Sequence, residues 1–367
     1  MNPFKFHLPT EIVFGRRRIS DLGERLDPGF ERIMIVTDRN IAEKSPVLDA
    51  VVSKLRSRRV SVFMDVEENP SFASVERGAR TARESEAQLV IGVGGGSPMD
   101  AAKGIALRTA NRHDIRVLIQ GLKPENPPLP VVCVPTTSGT GSEVTPYAVF
   151  TDVENRNKVG YANPALFPIL AVVDPEMTYS MPAAVVVDTG LDALTHALES
   201  YLSTEAFPLN DGLALQAVDI ILANLGKAAQ KDLEAMDQMS YASMLAGINI
   251  TLGGTILLHI MGYCLTAFYG VPHGRANAAL LPSVLDYLRD KSTVKNRIRS
   301  IDERFEAFDG VRDFIGNLGI PTRISDFGIT EDDLPAFVKR VIVKGDVKIT
   351  PAPVTEQDIF DIYRAAL

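Results

Sequence analysis

The run LVIGVGGGSPMDAAKGIAL at 89–107 passes from an apolar, β-branched stretch into three consecutive glycines and out into an alanine-rich segment opened by Ser97 and Pro98. Valine and isoleucine favour a buried pleat, serine followed by proline favours an N-cap and first helical position, and glycines permit a tight turn between the two. The spacing predicts strand, turn and helix, with Ser97 as N-cap. Three further β-branched runs, RIMIVTD at 32–38, VSVFMDV at 60–66 and LPVVCVPTT at 129–137, are separated by helical stretches such as SPVLDAVVSKLRS and SFASVERGARTARES. Alternation of this kind builds a parallel sheet covered by helices on its faces.

The texture changes after AVVDPEMTYSMP. From residue 183 onward strand-like alternation gives way to Ala- and Leu-rich helical segments punctuated by Gly and Pro. Two domains are expected, α/β over 1–182 and all-helical over 183–367. A net charge of −8, with Arg16-Arg17-Arg18 as the one basic cluster, argues against a nucleic-acid or anionic-membrane surface. That cluster reads as a solvated turn. The start of the chain lacks the apolar core of a signal peptide, and no run of eighteen apolar residues occurs. Two cysteines, Cys133 and Cys264, far apart and in apolar settings, suggest a reducing compartment, so a cytoplasmic location is expected.

The second half carries a candidate metal site. Asp192 and His196, in DTGLDALTHALESYLS, stand four residues apart, on one face of a helix. His259 and His273 would complete a set of one carboxylate and three imidazoles, and mixed N/O donors suit Zn²⁺ or Fe²⁺ better than Mg²⁺ or Ca²⁺. Of the five histidines in the chain, three fall in this set, while His7 and His113 stand alone. An Asp and His at this spacing also occur as a surface pair. Leu191, Ala193, Leu194, Ala197 and Leu198 make the surroundings apolar, and ionisable groups are buried there only when paired or coordinated. His273, between Pro272 and Gly274, is expected on a turn between two helices.

The glycine run is a second candidate site. Gly94, Gly95 and Gly96 at the start of a helix would let a phosphate approach backbone N–H groups and the positive end of the helix dipole. The run is neither G-x-G-x-x-G nor a Walker loop, because Lys103 comes later, inside the helix. A plain tight turn is the alternative. Three glycines there cost backbone entropy with no evident packing gain, which favours phosphate. With phosphate turn and metal ligands in different domains, a cleft between them is the expected place for chemistry.

GGGSPMDAAK, PTTSGTGSEVT, GLDALTHALESY and VPHGRANAALLP, in this order and spacing, resemble the iron-containing (group III) alcohol dehydrogenase family, which is similar in fold to dehydroquinate synthase. The resemblance runs from LPTEIVFG to PAPVTEQDIFDIYRAAL. It implies a Rossmann-like nucleotide-binding domain followed by a helical metal-binding domain, forming a homodimer. Asp192, His196, His259 and His273 match the metal ligands. Gly94, Gly95, Gly96, Ser97 and Asp100 match the pyrophosphate loop. Thr136, Thr137, Thr140 and Ser142 match the polar loop along the cofactor, Lys158 a lysine on its ribose, and Asn69 the asparagine of its adenosine side. Asp38 matches the position whose carboxylate accepts from the NAD 2′-hydroxyl and repels the 2′-phosphate of NADP, so NAD is the expected cofactor.

The resemblance implies a metal-dependent, NAD-linked dehydrogenase of a small alcohol or diol, or aldehyde reductase in reverse, with Fe²⁺ or Zn²⁺ as the ion. Two departures stand out. Tyr263 occupies the place where many relatives carry a second histidine near the substrate; it substitutes as a proton relay or fills space. Arg17 stands where relatives commonly have glycine, and the connection between Leu285 and Pro321 is short, both read as changes in surface loops. Competing readings are a maleylacetate reductase, which lacks a catalytic metal, a hydroxyacid–oxoacid transhydrogenase, and a non-catalytic metal- or nucleotide-binding protein.

Overall fold

The computed structural model describes residues 4–367. The chain divides into two compact units. The first comprises His7–Pro182 together with Leu233–Met244; the second comprises Ala183–Asp232 and Leu245–Leu367 with residues 4–6.

The first unit is built on a parallel sheet of β1 (Glu11–Phe14), β2 (Arg32–Val36), β3 (Arg59–Phe63), β4 (Leu89–Gly94), β5 (Val131–Pro135) and β8 (Leu170–Val173). Their spatial order is β1-β8-β5-β4-β2-β3. Helices α1 (Leu22–Arg25), α2 (Arg39–Lys44), α3 (Val47–Ser53), α4 (Phe72–Glu84), α5 (Gly96–Ala110) and α6 (Ile115–Ile119) complete the crossovers. The near-continuous apolar strands are explained by burial on both faces. Met34, Val36 and Val90 enter one core, with Met99 and Ile105 of α5. Ile33, Ile35, Leu89 and Ile91 enter the other, with Val47 and Val51 of α3. Alternate residues of one strand thus feed opposite layers.

Strand order decides where a ligand fits. The chain steps outward from β2 to β3 and returns to the other side of β2 as β4, so its direction reverses between β2 and β4. Ligands of open parallel sheets bind beyond the carboxyl ends of strands at such a reversal. Val36 pairs with Gly92, so Asp38 and Gly94, each two residues further on, leave the same end of adjacent strands.

Beyond the four strands expected from the β-branched runs, the unit contains the short strands β1 and β8 and an antiparallel hairpin of β6 (Tyr147–Asp152) and β7 (Asn157–Ala162). Its turn is held by Asp152, whose carboxylate accepts from the Asn155 backbone at 3.3 Å and side chain at 2.8 Å. Arg17 adopts φ 64°, the left-handed region that glycine favours, in keeping with the glycine expected at this position from the family resemblance. The basic cluster is only partly a solvated turn, because Arg16 Nε donates to Asp237 at 2.6 Å.

The second unit is helical: α7 (Ala183–Leu202), α8 (Pro208–Ala229), the second half of α9 (Leu233–Gly253), α10 (Leu257–Tyr269), α11 (His273–Lys291), α12 (Lys295–Phe305), α13 (Val311–Asn317), α14 (Leu334–Val341) and α15 (Glu356–Ala366). The stretch between Leu285 and Pro321 is therefore not a surface loop, since the end of α11 and all of α12 and α13 fall within it. By length and composition α8 could cross a membrane. Its Asp211 and Asp219 are instead held by Arg297 and Arg304 of α12, at 2.5 Å and 2.7 Å. Cys133 and Cys264 are both free and buried.

Candidate metal centre

The four candidate metal ligands come together within the helical unit. Asp192 and His196 lie on α7, 4% and 6% exposed, and His259 lies on α10 at 3%. Pro272 caps α11, making His273 its first residue. Asp192 Oδ1 lies 3.7 Å from His259 Nε2 and 3.8 Å from His273 Nε2. Donor atoms of Asp192, His196 and His259 all lie within 4.8 Å of one another. The His196 ring stacks on His259 with centroids 4.5 Å apart, and His273 meets His259 edge-on at 4.9 Å. Three imidazoles gathered on one buried carboxylate fit a divalent ion with mixed N/O donors.

The surrounding residues hold these side chains in place. Glu199, one turn beyond His196 on α7, accepts a short hydrogen bond from Nδ1 of His259. Its other oxygen accepts from the backbone N–H of Ile256 at 2.7 Å and of His259 at 3.3 Å. With Nδ1 protonated and held, His259 presents Nε2 to Asp192. Burial pushes the Glu199 carboxyl above its ordinary range, against the pull of His259. Burial alone would lower His259, but the neighbouring carboxylates, Glu199 first and then Asp192 and Asp346, together raise it.

Helix α11 is pressed against α7. A Cβ on Gly274 would stand 1.8 Å from the Asp188 carbonyl oxygen, so only glycine lets His273 approach so closely. Arg275 locks the approach with a forked pair to Asp188, at 2.9 Å and 3.2 Å. Tyr263, one turn after His259 on α10, is partly buried with its ring centroid 5.1 Å from His273. It faces the same cluster.

The proposed cofactor residues assemble in the α/β unit. Gly95, not Ser97, caps α5, and it has no side chain with which to accept a capping hydrogen bond. Ser97 Oγ instead accepts from the Asn69 N–H at 3.0 Å, and Asn69, at φ 57°, accepts from Thr151 Oγ1 at 2.9 Å. Lys158 pairs with Thr151 across the hairpin, so Asn69, Ser97 and the Lys158 strand converge. Asp38 is the N-cap of α2, its carboxylate accepting from Ile41 N at 3.0 Å.

The glycines do have packing roles, contrary to the expectation. Cβ atoms at Gly94, Gly95 and Gly96 would meet Pro98 at 2.5 Å, Thr137 at 3.2 Å and Thr140 at 2.7 Å. The polar loop lies directly on the glycine turn. Thr136 is buried there, and Thr140 Oγ1 accepts from Ser142 N at 3.3 Å. Asp100 and Ser142 face inward: Ser142 Oγ donates to Asp100 at 2.7 Å, and Asp100 also accepts from Val149 N at 2.9 Å. Lys103, fully buried, ties the loop down through the carbonyls of Ser142, Thr145 and Tyr147 at 2.7 to 2.9 Å. Burial lowers the Lys103 pKa, with Asp100 opposing. No local feature announces this role, because a lysine on an alanine-rich helix is normally solvated.

Residues 9–175 match the iron-containing alcohol dehydrogenase family, and residues 186–367 match the C-terminal domain of the same family. The chain belongs to the iron-containing alcohol dehydrogenases. It is an oxidoreductase acting on CH–OH groups. It is 33% identical to the 1,3-propanediol dehydrogenase of Klebsiella pneumoniae over 99% of this chain and 98% of the relative. The solved iron-containing alcohol dehydrogenase of Thermotoga maritima superposes with a TM-score of 0.92 at 35% identity, covering 100% of this chain and 99% of the other. A sulfoacetaldehyde reductase of Bifidobacterium kashiwanohense, solved in complex with NAD⁺, superposes with a TM-score of 0.89 at 27% identity over 100% and 99% of the two chains.

Proposed function

We propose that this family member is a metal-dependent, NAD-linked dehydrogenase of short alcohols or diols, working as an aldehyde reductase in reverse, with Asp192, His196, His259 and His273 holding Fe²⁺ or Zn²⁺. The observation that carries the reading is the Asp192 carboxylate facing the Nε2 atoms of His259 and His273 at 3.7 Å and 3.8 Å in a buried site. A divalent cation held there would supply a Lewis acid that makes an alcohol hydroxyl more acidic, and bound NAD⁺ would supply the acceptor for the hydride of the carbinol carbon. The products are aldehyde, NADH and a proton. Glu199 keeps His259 in the tautomer that leaves Nε2 available, and Arg275 with Gly274 fixes the start of α11 on α7.

On the cofactor side, the backbone of Gly94 to Gly96 and Ser97 at the start of α5 receives the pyrophosphate. Thr136, Thr137 and Thr140 line it, and Asn69 and Lys158 reach the adenosine and ribose. Asp100 and Ser142 support this loop from within. Asp38 carries the negative charge that disfavours a 2′-phosphate and so selects NAD. Tyr263 relays the alcohol proton outward. Short diols as substrates are supported by the 1,3-propanediol specificity named for the Klebsiella relative. A homodimer in the cytoplasm completes the reading. The intact ligand set favours it over a metal-free maleylacetate reductase.

The test pairs metal content with NAD reduction by short primary alcohols and diols, on wild type and His273→Ala. Loss of metal and turnover together, with an unchanged circular dichroism spectrum, is expected. Full metal occupancy in the variant would refute the ligand set.

A further inference from the structure

Arg116 belongs to none of the proposed cofactor or metal contacts. It lies on the short helix α6, which Glu76 of α4 anchors by accepting from the Ile115 N–H at 2.9 Å while holding Arg108 of α5 at 2.7 Å. From this base the guanidinium crosses to the β6–β7 hairpin. Its Nη1 donates to Glu154 at 3.0 Å, and its Nη2 lies 3.8 Å from Asp152 Oδ1. Its Cζ stands 5.2 Å from the centre of the Phe72 ring, within cation–π reach. Glu154 is largely exposed, and a pair of that kind is worth little. The Asp152 side chain is only 10% exposed, so its charge is stabilised by a cation close at hand.

The hairpin carries part of the candidate cofactor set. Asp152 faces Asn157 across it, and the next pair inward is Thr151 with Lys158. Thr151 also fastens the hairpin to the loop before α4: its N–H donates to the Pro70 carbonyl and its hydroxyl to the Asn69 carbonyl, both at 2.9 Å. On the inner side Phe150 is buried against Phe72, the ring that lies under the guanidinium. At the outer end the charges of Asp152 and Glu154 meet Arg116. A two-stranded hairpin is marginal by itself in water, so its order depends on what it is fastened to.

We propose that Arg116 is a positioning residue for the cofactor: by fastening the outer end of the β6–β7 hairpin to α6, it holds Lys158 and Asn69 ready for the adenosine half of NAD. This rests on the reading that Asn69 and Lys158 reach the adenosine and ribose. Arg116 touches no reacting atom. Its effect falls on cofactor affinity, because a hairpin already ordered loses less conformational entropy on binding than a loose one.

NADH titration followed by nicotinamide fluorescence, together with amide hydrogen exchange of the hairpin before NADH is added, tests this in wild type, Arg116→Met, Asp152→Asn and the double variant. Methionine keeps an apolar stem over Phe72 and removes the charge, while asparagine keeps an acceptor for Asn155. Either change should raise the NADH Kd about 3- to 10-fold and speed exchange in the hairpin by a similar factor, with the double variant little weaker than either single one. The kcat at saturating NAD should not change. Arg116→Met with wild-type NADH affinity overturns the inference, and so does weakened affinity with hairpin exchange at the wild-type rate. Should Arg116→Met fail to fold by circular dichroism, Asp152→Asn decides by the same two readings. Wild type that binds no NADH overturns the cofactor reading itself, and the role of Arg116 with it.

Discussion

Glu199 accepts the Nδ1 proton of His259 and thereby fixes which ring nitrogen faces Asp192. The two residues lie on different helices, α7 and α10. The carboxylate also accepts both backbone N–H groups at the start of α10, so one side chain sets helix position and ring tautomer together.

Replacing Glu199 with leucine removes the acceptor and leaves His259 free to turn. Metal affinity should fall about 10- to 100-fold, the usual consequence of losing a group that orients a ligand. Glu199→Gln, which keeps an acceptor oxygen, should lose less. Chelator competition on the three proteins checks the order, and equal affinities would remove Glu199 from the metal site.

At Asp38, asparagine keeps the helix-capping oxygen while removing the charge. The ratio of kcat/KM for NADP over NAD should rise by one to two orders of magnitude, or roughly 1.4 to 3 kcal/mol, with little change in melting temperature. An unchanged ratio would place the 2′ position elsewhere.

Glu143, buried in the polar loop after β5, has its pKa pushed by burial from 4.5 up to about 7. Because the folded protein holds this proton more tightly than the unfolded chain, its stabilising effect is complete below pH 4.5 and fades as pH rises through 7. The shift corresponds to roughly 3 kcal/mol. Glu143→Gln should therefore flatten the decline in thermal stability between pH 5 and pH 8. Parallel declines in wild type and variant would show that Glu143 does not titrate in this range.

Tyr263 bears on the pH dependence of turnover. A tyrosine hydroxyl ordinarily titrates near ~10 and an imidazole near ~6.5, so alcohol oxidation should climb well into the alkaline range, and Tyr263→His should move the rising limb to lower pH. Tyr263→Phe should lower the rate and alter the profile. If the phenylalanine variant keeps wild-type rate and profile, the ring serves only as packing.

Local chemistry in the sequence determined the kind of element and the kind of donor. β-branched runs with glycine turns announce a parallel sheet, because strands buried on both faces can be almost entirely apolar, and Asp192 with His196 announces a paired donor face, because four residues make one helical turn. The hairpin at 147–162 was not legible, since its alternation is short and its turn depends on Asp152 binding Asn155. Ser97 carries every sign of an N-cap, yet its hydroxyl serves Asn69, twenty-eight residues earlier in the chain. Lys103, Glu199 and Arg275 have meaning only through partners on other segments. Their roles were decided when tertiary packing removed water from around them, because a buried ammonium or carboxylate must find its partners wherever the fold supplies them.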